Sequence, residues 1–187
     1  MPTIFSHPAV PLAIGIGLGH EVISKRLLIF GIICCILPDL DVVAFYFGIP
    51  YYSQWGHRGF SHSLFFALVM AIIGAAFAKK LSSTPAIAFW FLLVVTASHG
   101  ILDSFTNGGL GITFLWPFLP ERYFAPVQPI EVSPLSLSGI LSRRGVSVIW
   151  SEILWVWLPC LVALAMTVIY RHRRLLTTQG RQSRHGD

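Results

Sequence analysis

The segment Trp55-Gly-His-Arg-Gly-Phe-Ser-His-Ser63 sets His57, Arg58 and His62 close together between two hydrophobic runs. Polar side chains at the mouth of an apolar helix are costly to bury unless each finds a partner. Pro38-Asp39-Leu40-Asp41 and His99-Gly-Ile-Leu-Asp103 are two clusters that could supply one. Neutral imidazole and carboxylate oxygen are donors that zinc and manganese accept. His99 and Asp103, four apart, share one face of a helix; such a pair either ligates metal or forms a hydrogen bond that only fixes the helix. Asp39 and Asp41 follow a proline, which frees a backbone carbonyl and allows local unwinding. Two carboxylates so close repel unless a cation or a proton separates them. We therefore expect the three stretches to meet at one end of a helix bundle and hold divalent metal. Zinc is the first choice and manganese the second, as one or two ions. The candidate ligands are His7, Asp39, Asp41, His57, His62, His99 and Asp103, and an aspartate that does not ligate would orient an imidazole through its second ring nitrogen.

Other polar residues have simpler readings beside the chemical ones. Arg58 could clamp a phosphate or carboxylate, or anchor the chain at the headgroups. Ser61 and Ser63 read as helix caps rather than nucleophiles. Glu131 and Glu152 could add a ligand or a general base, although solvated surface acids are the plainer expectation. His20 reads as structural.

The elements that position these residues are hydrophobic. Of 187 residues 55% are apolar and 11% charged, and the mean hydropathy is +0.71. A soluble domain carries about 25% charged residues, so this is expected to be an all-α, polytopic membrane helix bundle of about five helices. Residues 1–170 read as a single membrane-embedded domain and 171–187 as a basic, unstructured cytoplasmic tail. The net charge of +5 comes from basic residues placed mostly at helix ends and in the tail. They are topology signals, and no nucleic-acid partner is expected. Cys34, Cys35 and Cys160 form no framework and read as free thiols. The first residues lack a basic n-region, so the first apolar run is expected to be kept rather than cleaved.

Five apolar runs can be drawn: 8–23, 27–48, 61–78, 85–103 and 150–170. The first is short and glycine-rich, and it could be re-entrant. Between the fourth and fifth, residues 107–142 carry Gly108, Gly109, Gly111 and five prolines, the composition of an extended, turn-rich extracytoplasmic loop. With five spans, Lys25, Arg26, Lys79, Lys80 and the five tail arginines fall on one side, which is nine of the thirteen basic residues. The positive-inside rule makes that side cytoplasmic, with the N-terminus out and the C-terminus in. At a rise of about 1.5 Å per residue, Asp39 and Asp41 then lie roughly 18–21 Å, and His99 and Asp103 roughly 21–27 Å, from the cytoplasmic ends of their helices. His7, His57 and His62 fall in the same outer layer.

The order and type of Pro38-Asp-Leu-Asp41, His57-Arg-Gly-Phe-Ser-His-Ser63 and His99-Gly-Ile-Leu-Asp103 resemble the YdjM-like family, also called DUF457. The likeness runs from Ser6-His7 to Trp116-Pro-Phe118 and Glu121-Arg-Tyr-Phe-Ala-Pro126, and within the family it points to the YbcI-like inner-membrane proteins. Members are described as LexA-binding metal-dependent hydrolases of the bacterial inner membrane. The resemblance thus implies that localisation, a hydrolytic metal site and a LexA-type protein partner. A more distant likeness, to zinc-dependent phospholipase C and P1-type nucleases, would give His7, Asp39 or Asp41, His57, and His99 with Asp103 as ligands. Those enzymes add a later His and a His-x-x-x-Glu pair, and this chain has no histidine between His99 and His172, so one or two metals are expected rather than three.

The function expected from these residues is hydrolysis of an ester or phosphoester of a lipid-like substrate by a metal-activated water. Asp41 or Glu131 would be the general base and Arg58 would neutralise developing charge, with membrane lipids as the surroundings. One rival is a metal or proton transporter, against which the lack of internal symmetry counts. The other is a non-enzymatic membrane regulator.

Overall fold

Five apolar helices stand where the five runs lie in the computed structural model, which describes residues 1–134 and 137–183. They are Ala9–Leu18 (α1), Lys25–Ile36 (α2), Leu64–Ala76 (α3), Pro85–Ser104 (α4) and a last rod. A single turn, Leu137–Ile140 (α5), precedes that rod, which comprises Arg143–Glu152 (α6), a π-helical stretch Ile153–Trp157, and Leu158–Ser183 (α7). Among the described residues there are no strands, only isolated bridges at Thr106–Ile130 and Ile112–Tyr123. Among the described residues, three segments are long and apolar enough to cross a membrane: Lys25–Phe47, Pro85–Ser104 and Arg143–Arg174. α1 and α3, of 10 and 13 residues, are shorter; at about 1.5 Å per residue they fall short of a hydrocarbon core of about 30 Å.

The helix starts follow from the sequence. The Ser24 hydroxyl accepts the Leu27 N–H at 3.1 Å, Ser63 accepts the Phe66 N–H at 3.1 Å, and Thr84 accepts the Ile87 N–H at 3.3 Å ahead of Pro85. Each satisfies a donor that the first turn leaves open. At Pro38 the α-helical ladder loses a donor, and the chain continues as a 3-10 helix over Leu37–Phe47, ending at Gly48 with φ 71°. With about three residues per turn, Asp39 and Asp41 point about 120° apart. Asp39 is buried, whereas Leu40, in the third direction, is exposed.

α4 is the centre of the bundle. Its buried Ala88, Leu92 and Val95 pack on Leu27 and Cys34 of α2 and Ala71 of α3, below the layer that holds His99 and Asp103. A Cβ on Gly100 would lie 2.5 Å from the His62 carbonyl oxygen. Glycine there lets α4 touch the backbone of the His62 turn one residue from His99. α1 leans on α7, where a Cβ on Gly17 would stand 3.2 Å from Thr167.

The loop between α4 and α5 is folded onto residues 51–64. The Leu64 N–H donates to Phe114 O at 3.0 Å and the Thr113 N–H to Arg58 O at 3.3 Å. The tail differs from the expectation: α7 continues as helix to Ser183, through most of the segment that composition marks as unstructured. Arg, Leu and Gln are good helix formers, and prolonging an existing helix needs no new nucleus. Residues 184–187 lie outside the described ones.

Candidate metal centre

Five buried side chains from four segments converge. His7 comes from the turns before α1, Asp39 from the 3-10 helix after α2, His62 from the short 3-10 turn Phe60–His62, and His99 and Asp103 from the buried face of α4. None is more than 4% exposed. His99 Nε2 is 3.0 Å from His62 Nε2 and 3.4 Å from Asp39 Oδ1. His62 Nε2 is 3.3 Å from Asp103 Oδ2 and 3.8 Å from Asp39 Oδ1. His7 Nε2 is 3.6 Å from Asp39 Oδ2 and 3.7 Å from Asp103 Oδ1.

The other ring nitrogens explain this orientation. His99 Nδ1 donates to the Cys35 carbonyl at 2.7 Å, which leaves Nε2 as the free lone pair. His62 Nδ1 lies 3.2 Å from Asp41 Oδ2 and 3.0 Å from the Ser61 hydroxyl. Asp41 is filled with donors: His57 Nδ1 at 2.6 Å, the Ser61 hydroxyl at 2.6 Å and the Arg58 N–H at 3.1 Å.

Asp39 and Asp103 are the opposite case. All four of their oxygens, and His7 Nε2, are buried without a hydrogen-bond partner. Native interiors rarely tolerate that. A tetrahedral ion with bonds of about 2.0–2.1 Å has donors about 3.3–3.4 Å apart, inside the 3.0–3.8 Å range found here. One donor atom each from Asp39, His62, His99 and Asp103 lie within 4.8 Å of one another. This cluster could hold a metal ion.

The imidazoles differ in charge. Burial, reinforced by His99, lowers the His7 imidazole to about 3, so it is neutral. Burial acts the same way on His62, but its contacts with the carboxylates of Asp103 and Asp41 outweigh it and raise this group to about 9.

The remaining candidates fall elsewhere. His57 does not join the five; it sits behind Asp41 with its ring edge toward Tyr51, although Asp41, His57 and His62 form a second group of metal-capable atoms. Arg58 is not positioned as a substrate clamp. It is fully buried, with Nε 3.2 Å from Asp103 Oδ2, Nη1 donating to Gly108 O at 2.7 Å and Nη2 to Thr106 Oγ1 at 2.9 Å. Glu131 accepts the Ser147 hydroxyl at 2.6 Å, and its N–H donates to Ser151; it faces α6 rather than the cluster. Glu152 is buried instead of solvated. It accepts the Thr3 N–H and, at 2.6 Å each, the Thr3 and Ser6 hydroxyls, which fixes the segment leading into His7. His20 pairs with Glu21 at the surface. Ser63 caps α3, whereas Ser61 serves Asp41. Arg122 carries no role in the sequence reading beyond its place in the 121–126 stretch, yet its guanidinium donates to the carbonyls of Tyr51, Ser53, His57 and Gly111 and ties the loop to the segment that carries His57.

Asp41→Asn is expected to weaken metal binding by about 10–100-fold while leaving the fold intact, the usual effect of losing an outer partner of a ligating imidazole. Competition against a chelator of known affinity measures it, and an unchanged affinity would show that Asp41 does not orient His62.

A family model described as YdjM inner membrane protein matches residues 1–175. Inner membrane protein YbcI of Escherichia coli (strain K12) is 48% identical over 167 residues, which is 89% of this chain and 96% of the relative. No solved structure matches the chain.

Proposed function

Because this chain belongs to the YdjM inner membrane protein family, we propose that it acts there as a metal-dependent hydrolase on an ester or phosphoester of a lipid-like substrate. The observation that carries this is the pair of buried carboxylates, Asp39 and Asp103, which face three imidazoles while none of their four oxygens makes a well-formed hydrogen bond. Their mixed nitrogen and oxygen donors suit zinc first and manganese second. Such an ion lowers the pKa of a bound water and polarises the scissile group.

The chain's own residues have distinct parts. His7, Asp39, His62, His99 and Asp103 would hold the metal. Asp41 keeps His62 in the tautomer that leaves Nε2 free. Arg58 balances the charge of Asp103. Asp39 also borders a cavity of about 500 Å3 with Ile4, Phe5, Val42, Phe45 and Pro134. That size is ordinary for a ligand site, and its apolar wall suits a hydrocarbon tail. Asp39 thus connects the metal-holding group with the cavity, whereas Asp41, saturated by donors, stands behind it. In this reading the N-terminus lies outside and the C-terminus inside, with the site toward the outer face, as the distribution of basic residues supports. Arg171, Arg173 and Arg174 stand exposed on the helical continuation of α7. A LexA-type cytoplasmic partner, which the family resemblance implies, would meet that basic end.

A pH dependence follows from His62, whose pKa rises from 6.5 to about 9 in the fold. Without metal, its proton stabilises the fold fully below pH 6.5, and that contribution is lost as pH rises through about 9. An ion at Nε2 must displace the same proton, so metal affinity should rise about tenfold per pH unit until about pH 9. Chelator competition across that range measures the slope; a flat affinity contradicts the assignment.

The direct test of function incubates the purified chain in nanodiscs with a panel of phospholipids and fatty-acyl esters. The expected result is release of fatty acid, phosphate or headgroup that stops with a chelator and returns with zinc. Absence of chelator-sensitive release from every substrate class in the panel would sink the hydrolase reading.

A further inference from the structure

We infer that the site takes two ions bridged by Asp39 and Asp103, with His7 as the histidine of the second. This rests on the metal-centre reading above and goes further in assigning each oxygen. His62 and His99 turn Nε2 to one oxygen of each bridge: His99 to Asp39 Oδ1 at 3.4 Å, His62 to Asp39 Oδ1 at 3.8 Å and to Asp103 Oδ2 at 3.3 Å. His7 Nε2 turns to the other oxygen of each: Asp39 Oδ2 at 3.6 Å and Asp103 Oδ1 at 3.7 Å. The four carboxylate oxygens and His7 Nε2 are all buried and without a hydrogen-bond partner. A single ion on the His62 and His99 side would leave His7 Nε2 and two of those oxygens unsatisfied.

Ring geometry supports the pair. His7 and His99 stack with centroids 3.8 Å apart and planes 16° from parallel, and each turns Nε2 toward a different oxygen of Asp39. Ions in two-metal hydrolytic sites lie about 3.5–4 Å apart, the separation that such a stack favours. The two halves are not equivalent. Four protein donors close the His62 and His99 side, as in structural sites, whereas three donors on the His7 side leave room for water or substrate. Asp39 connects that half with the apolar cavity.

Charge then narrows the substrate. One divalent ion with Arg58 is matched by Asp39, Asp41 and Asp103, whereas two ions leave a surplus of positive charge in a buried place. That surplus favours an anionic substrate, so a phosphoester of a lipid is preferred over a neutral carboxylic ester.

The test is ion counting on the full chain in nanodiscs, reconstituted with zinc and freed of loose metal, together with electron paramagnetic resonance of the manganese-loaded protein. Wild type should hold two ions and show a spin-coupled pair. His7→Ala and the gentler His7→Gln should each hold one ion with an uncoupled manganese signal, while circular dichroism reports an unchanged helix content. One ion in saturated wild type overturns the bridged pair and leaves the hydrolase reading standing. Two ions retained in both His7 variants overturn the role of His7. No ion at all removes this inference and the metal reading together.

Discussion

His99→Ala should lower affinity for the ion shared with His62 by about a hundred- to a thousandfold. Four-ligand zinc sites yield about 10–16 kcal/mol, so one ligand is worth roughly 2.5–4 kcal/mol, and about 1.4 kcal/mol is a factor of ten. The substitution removes Nε2 from Asp39 Oδ1 and also leaves the Cys35 carbonyl without its donor. Zinc competition on wild type and variant gives the ratio. The loss should not be matched by Cys35→Ser, because the backbone carbonyl of Cys35, not its thiol, holds His99. Affinities within about threefold of each other in wild type and His99→Ala would lie inside ordinary context scatter and would remove His99 from the ligand set.

The second large effect concerns stability. Arg58→Met should destabilise the metal-free protein by about 3–5 kcal/mol, the cost of leaving one member of a buried ion pair uncompensated. Arg58 is fully buried at φ 65°, a left-handed backbone that a large side chain adopts only when its surroundings require it. Its N–H donates to Asp41, its guanidinium reaches Asp103, Thr106 and Gly108, and its carbonyl receives Thr113. Gly109, at φ 89°, completes the arrangement, because a Cβ there would stand 2.6 Å from Arg58 Nη1. Arg58→Lys should recover only part of the loss, since a point ammonium cannot serve three directions at once. Thermal unfolding in nanodiscs, with and without zinc, separates the cases. Zinc should offset part of the deficit by neutralising Asp103, and an Arg58→Met protein as stable as wild type would mean that Asp103 is not charged.

Residues tied by local spacing were legible in the chain itself. His99 and Asp103 are four apart on one helix, and both point inward. Ser63 and Thr84 precede apolar runs and cap them. The separate parts of Asp39 and Asp41 were within reach too: residues two apart lie on different sides of either an α or a 3-10 helix, so the two meet opposite nitrogens of His62. Asp41 and His57 stand with His62 as a second group of metal-capable atoms. Contacts far apart in sequence left no local mark. Glu152 meets Thr3 and Ser6 across 149 and 146 residues, and Arg122 holds carbonyls of the 51–57 segment. The burial of Arg58 likewise depends on where Thr106 and Gly108 come to rest. An isolated acid or arginine in a sequence reads as solvated, and only the fold shows what surrounds it.

X-ray absorption at the zinc edge of the loaded wild-type protein addresses the metal centre most directly. The expected spectrum has only nitrogen and oxygen neighbours at about 2.0–2.1 Å, with the outer-shell scattering of imidazole rings. A sulfur shell at about 2.3 Å would place zinc on Cys34, Cys35 or Cys160 instead. That result, or a protein that retains no zinc at all, would contradict a centre built from His7, Asp39, His62, His99 and Asp103.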